Sequence, residues 1–123
     1  MKEAGRTIQP SGGDIAGYSA ECASAIVEKK GSDVLLLDLR KVNSYFDYFL
    51  IATGNSRIHC RALARELERL MLGRGVRSRN RPDYDSGWIV IDFGSLIVHI
   101  FTGETRDYYQ LEKLWGDAER LAF

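Results

Sequence analysis

Three sets of side chains have types and spacing that could do chemistry. Asp83 and Asp85 stand one residue apart, so on an extended backbone both carboxylates point the same way. With Asp92 as a third acid they could hold a divalent metal for phosphoryl transfer. Gly54-Asn55-Ser56, between an apolar run and a helical pattern, could turn backbone N–H groups toward a phosphate. Ser56, Asp83 and Asp85 would then form a site of nucleotidyltransferase type. Cys22, Cys60, His59 and His99 complete the candidates and are the only Cys and His residues.

Each set has a plainer reading. Pro82 and Gly87 bracket the two acids in loop-like sequence, where Asp commonly forms turns. The Gly54 turn lacks the glycine spacing of the common nucleotide fingerprints, and Ser56 suits a helix cap. His59 and Cys60 are neighbours, so on a helix their side chains diverge, and no zinc-ligand spacing is present. Cys60 also falls on the apolar stripe of its helix, where thiols are inert. The expectation is a protein without catalytic residues, metal or cofactor.

Residues 84–101, YDSGWIVIDFGSLIVHIF, are harder to explain as plain structure. A two-residue turn at Gly94-Ser95 pairs Phe93 with Leu96 and fixes the rungs beyond. One face then carries Ile89, Ile91, Phe93, Leu96, Val98 and Ile100, a core surface. The other pairs Trp88 with Phe101, Val90 with His99 and Asp92 with Ile97. Aromatics beside polar groups resemble a protein-binding hot spot, provided the last helix does not cover them. Tyr84, Asp85 and Ser86 lead into this face. Arg77, Arg79 and Arg81 alternate on a neighbouring segment, either as edge defence or as a secondary contact to RNA backbone.

These residues need a frame. Residues 1–17, with Pro10, Gly12, Gly13 and Gly17, read as a disordered tail, leaving one domain over 18–123. Helical periodicity predicts helices over 18–30 and from Ser56 to about Leu72, and a closing helix over 104–115 with Tyr108, Leu111 and Trp115 on one stripe and Leu114 joining Leu111 in reaching the sheet. Apolar runs predict inner strands over 34–39 and 47–53, with an edge strand from Val76 before the hairpin. The result is an α/β fold, a mixed sheet of about five strands with helices.

The chain has 123 residues and a formal net charge of zero, so no global field draws it to nucleic acid or anionic lipid. No apolar run is long enough to span a membrane, and the two cysteines sit in apolar helical patterns. A cytoplasmic, reducing location without membrane partners is expected.

The runs DYFLIATGNSRIHCRALARELE and DYDSGWIVIDFGSLIVHIFTGETRDYYQLEKLWGD resemble the ribosomal silencing factor, or Iojap-like, family. The combination of W-hydrophobic-D-F-G, V-H-I-F and Y-Y-x-L-E-x-L-W carries the resemblance, which spans roughly residues 18–117. Ser95, Ile58 and Cys60 depart from the family's usual residues. The resemblance implies a nucleotidyltransferase-like domain without the enzyme's metal-binding acids. It also implies binding to the fourteenth protein of the large ribosomal subunit, which obstructs joining of the small subunit and lowers translation when nutrients are scarce. The matching positions are Tyr84, Asp85, Ser86, Trp88, Asp92, His99, Phe101, Arg106, Tyr108 and Tyr109. A homodimer of the free protein through the same apolar face is a further expectation.

Overall fold

The computed structural model describes residues 12–123. Helix α1 covers Gly12–Glu28, strand β1 Ser32–Asp38, strand β2 Tyr48–Gly54 and helix α2 Arg57–Gly73. Strands β3 (Trp88–Asp92) and β4 (Leu96–Thr102) form the hairpin, and helices α3 (Gly103–Tyr109) and α4 (Leu111–Leu114) and the short strand β5 (Glu119–Arg120) follow. The five strands lie in the order β3-β4-β2-β1-β5. Only β2 and β4 run parallel, joined through α2, and every other pair is antiparallel. This is the expected mixed sheet.

Local chemistry explains most element ends. The Ser56 side chain accepts a hydrogen bond from the His59 N–H at 3.0 Å and caps α2. Asn43 Oδ1 accepts from the Tyr45 and Phe46 N–H groups and shapes the β1–β2 connection. Gly94, at φ +90°, supplies the left-handed residue of the hairpin turn, where the Phe93 N–H donates to the Leu96 carbonyl at 2.9 Å. The rungs Trp88–Phe101, Val90–His99 and Asp92–Ile97 match the expected register.

The sheet is covered on both faces. On one, Leu50, Ala52, Ile89, Ile91, Val98 and Ile100 pack beneath α1 and α2, which contribute Cys22, Ile26, Cys60, Leu63 and Leu67. On the other, Phe49, Ile51, Ile97 and Phe101 pack with Phe46, Leu111, Trp115 and Ala118. Among the described residues no helix is long and apolar enough to cross a membrane.

Three expectations change. Helix α1 starts at Gly12, and Ile15 is buried in the core, so residues 12–17 belong to the fold; the earlier part of the expected tail lies outside the described residues. The buried stripe Ile15, Ser19, Cys22 and Ile26 includes one polar side chain, and the Ser19 hydroxyl is satisfied by donating to the Ile15 carbonyl at 2.6 Å. The segment from Val76 forms no strand, and the fifth strand is instead β5 beside β1. The closing helix breaks at Gln110, which takes left-handed φ and ψ of 49°. That break turns Leu111 and Trp115 onto the sheet and leaves Leu114 74% exposed, so Leu114 does not reach the core.

Candidate functional site

The hairpin register builds an aromatic ladder that runs from the interior to the surface. Phe101 is fully buried; Trp88, half-buried, stacks on it with ring centroids 4.9 Å apart and planes at 30°. Tyr109 meets Trp88 at 4.8 Å, and Tyr108 meets Tyr109 edge-on at 4.9 Å. Tyr109 is 52% and Tyr108 81% exposed. Rigid rings whose inner neighbours are fixed can be presented to a partner at little entropic cost.

Behind the ladder sits His99. The Trp88 indole N–H donates to His99 Nδ1 at 3.1 Å, and the Phe49 ring lies 4.5 Å from the imidazole. An acceptor Nδ1 requires the neutral ring with its proton on Nε2. Burial pushes the His99 pKa down to about 4, which agrees with a neutral ring. Trp115 closes the far side, edge-on to Phe49 at 5.7 Å. His99 and Phe101 are therefore interior supports and not the open docking residues expected from parity. The C-terminal segment supplies the cover, and it leaves Trp88 only half open.

Arg106 also changes role. It is 7% exposed, and its Nη1 donates to the Asp33 carbonyl at 2.6 Å and to Thr53 Oγ1 at 2.9 Å. Its Nε lies 3.5 Å from Glu112 Oε1. The guanidinium pins α3 to β1 and β2 from inside, which a surface charge tuning a partner could not do.

Tyr84, Asp85 and Ser86 lean toward α2. The Tyr84 hydroxyl donates to Glu68 Oε1 at 2.6 Å, and Arg65 lies over its ring at 4.8 Å. Asp85 pairs with Arg61, and Arg57 Nη1 donates to the Asp85 carbonyl at 2.9 Å. The Ser86 hydroxyl lies within donating distance of the Trp88 and Asp83 carbonyls, at 2.7 and 2.9 Å. Asp83 Oδ1 accepts from the Asp85 N–H at 3.2 Å, a turn contact. Asp92 Oδ1 accepts from the Gly94 N–H at 2.8 Å. The three residues of the nucleotidyltransferase-type site thus serve as a helix cap, a turn and an ion pair. Among the described residues no group of three or more His, Cys, Asp or Glu side chains is placed to hold a metal.

The remaining thiols and imidazole are structural. Burial raises both thiols, Cys22 to about 12. His59 accepts from the Asn55 N–H at 2.9 Å and meets the Lys29 carbonyl through Nε2 at 2.8 Å, bracing the turn into α2.

Along the free edge of β3 the chain does something unanticipated. Asn80 donates its side-chain N–H to the Val90 carbonyl at 2.8 Å and accepts from the Asp92 N–H at 2.9 Å. The Arg79 N–H donates to the Asp92 carbonyl at 2.6 Å. One side-chain amide thus does the work of a neighbouring strand, and Ser86 does the same at Trp88. This is why residues 76–80 follow β3 without becoming a strand. Arg77, Arg79 and Arg81 are exposed on this segment.

A second basic feature went unrecognised in the sequence. Arg57, Arg61, Arg65 and Arg69 follow one another at four-residue intervals on α2, all exposed, with no acid in its first turn. Like charges at that spacing destabilise a helix by roughly 0.2–0.5 kcal/mol per pair. The signal was readable as i, i+4 arginines.

Comparison with known proteins places this geometry among relatives. A family model described as "Ribosomal silencing factor during starvation" matches residues 15–123. The chain is 39% identical over 97 residues to the ribosomal silencing factor RsfS of Bacillus subtilis, covering 78% of this chain and 82% of that protein. It is 30% identical to a mouse protein named mitochondrial assembly of ribosomal large subunit protein 1, covering 88% of this chain and 50% of that protein. A crystal structure of a Chromobacterium violaceum protein superposes with a TM-score of 0.76 at 30% identity, covering 92% of each chain.

Proposed function

Because the chain belongs to the ribosomal silencing factor family, we propose that it binds the large ribosomal subunit through the fourteenth large-subunit ribosomal protein and sterically blocks joining of the small subunit. Translation is thereby repressed when nutrients are limiting, in the cytoplasm, and no reaction is catalysed. The single observation that carries the docking site is the exposed end of the aromatic ladder, where Trp88, Tyr109 and Tyr108 emerge from a braced interior. The name of the mouse relative supports the choice of the large subunit.

In this reading Trp88 and the two tyrosines supply affinity, and Tyr84, Asp85, Ser86 and Asp92 form the polar surround that sets orientation. His99, Phe101 and Arg106 hold the docking residues in place from behind. Arg77, Arg79 and Arg81 make a minor contact to ribosomal RNA, and the free protein pairs with a second copy through the same aromatic surface until the ribosomal protein displaces it. The test is sedimentation with separated ribosomal subunits. Wild type should pellet with large subunits only, and Trp88→Ala should lose about 2 kcal/mol or more of binding. A variant that pellets as well as wild type would put the site elsewhere.

A further inference from the structure

We propose that the flank of α2 bearing Arg57, Arg61 and Arg65 is a second docking surface whose occupant is the sugar–phosphate backbone of large-subunit ribosomal RNA. The inference rests on the large-subunit reading above and assigns ribosomal RNA a surface on α2 that neither the aromatic ladder nor the contact at Arg77, Arg79 and Arg81 requires.

The charge distribution is the first argument. Residues 57–81 contain eight arginines, no lysine and two glutamates in a chain whose net charge is zero. Arginine's planar fork matches phosphate oxygens in pairs, whereas lysine acts as a point charge. A solvated helix face ordinarily alternates acid and base at four-residue spacing, since that pairing stabilises it. Here the neighbour of Arg57 is Arg61, and that of Arg61 is Arg65. The positive end of the helix dipole adds to the repulsion, because no acid stands in the first turn. An arrangement that is unfavourable in the free protein becomes favourable against a polyanion.

The second argument is geometric. Among the described residues each of the three arginines meets one restraint: the Asp85 carbonyl on Arg57, the Asp85 carboxylate on Arg61, and the Tyr84 ring under Arg65. Such restraints reduce the side-chain entropy lost on binding. They also place the row against the loop that runs directly into Trp88, so the basic flank continues the aromatic surface. A partner seated on Trp88 brings its neighbours against these arginines. Arg69 is left out, since its partner is Glu66 on α2 itself and not the loop that runs into Trp88.

The test uses whole large subunits across a salt series, with wild type, R57Q/R61Q/R65Q and the charge-keeping R57K/R61K/R65K. Loss of three phosphate contacts should flatten the slope of log affinity against log salt by about two to three and weaken binding roughly tenfold or more near physiological salt. The lysine variant should keep most of the slope. An unchanged slope in the glutamine variant overturns the proposal, because a purely structural role would not alter counterion release. A second measurement names the partner. Ile58, 77% exposed beside the row, is replaced by Cys and carries an iron chelate, while the buried Cys22 and Cys60 stay unlabelled. Localised scission of the large-subunit RNA supports the proposal; its absence assigns the row to a protein neighbour or to solvent and overturns it. Trp88→Ala, run alongside, reports separately on the docking reading.

Discussion

The indole N–H of Trp88 is held at 3.1 Å by the Nδ1 of His99, which lies on the facing strand two residues from Trp88's rung partner Phe101. A neutral imidazole at 6% exposure is thus a precondition for the orientation of the residue on which docking depends.

That relationship makes stability sensitive to acid. The folded pKa of about 4 lies below the ordinary value of 6.5, so the unfolded chain takes up a proton before the folded one does. The contribution of His99 is complete above pH 6.5, declines as pH falls toward 4, and is gone below that. Its size is on the order of 3 kcal/mol. Urea denaturation between pH 4 and 8 should show this decline, and His99→Gln should flatten it. A titration of the ring by NMR near 6.5 in the folded protein would contradict the assignment.

The two ends of the aromatic ladder should separate stability from binding. Phe101→Ala removes a fully buried ring and is expected to cost about 3–5 kcal/mol of folding free energy. Tyr108→Ala should change stability by less than about 0.5 kcal/mol, since its ring is largely in solvent. The same substitution should weaken large-subunit binding by more than about 1 kcal/mol. Chemical denaturation and sedimentation on one pair of variants check both halves.

Asn80→Ala should open the edge of β3. Two side-chain hydrogen bonds disappear, at a cost of about 1 kcal/mol because water replaces part of what is lost. The Asp92 amide, which donates to the Asn80 side chain, should exchange with solvent more slowly in the wild type than in the variant. Concentration-dependent light scattering should rise as the bared edge pairs with other copies.

Gly54 is fixed by close approach and not by its dihedral angles. A Cβ there would sit 2.6 Å from Cys60 Sγ and 3.1 Å from the Cys60 nitrogen. Gly54→Ala should therefore destabilise by about 1–3 kcal/mol. Cys60→Ala in the same chain should relieve only part of the strain, since the backbone contact remains. Thermal melts of the single and double variants decide this.

Parity and turn chemistry made the hairpin legible from the sequence down to individual rungs, because a two-residue turn leaves no freedom in register. Ser56 and the stripe from Cys60 to Met71 made α2 equally legible. What could not be read was how far the second sheet face is covered. That depends on the left-handed turn at Gln110, a residue whose type gives no sign of it, and on the way Trp115 then falls against Phe49. Arg106 illustrates a second limit: its charge suggested the surface, whereas its burial follows from acceptors on β1 and β2 more than fifty residues away. The Asn80 contact was invisible for a related reason, since a side chain replacing a strand leaves no periodic pattern.

The concentration of arginine on one flank has a consequence for the approach to any charged target. With no net charge there is little overall pull at a distance, but the excess of base between residues 57 and 81 must be matched by an excess of acid elsewhere in the chain. Asp85 and Glu21 offset part of that excess at Arg61 and Arg74, and what remains is a local field on one flank of the molecule. Such a field orients the protein only near a polyanion, and raising ionic strength shortens the distance over which it acts.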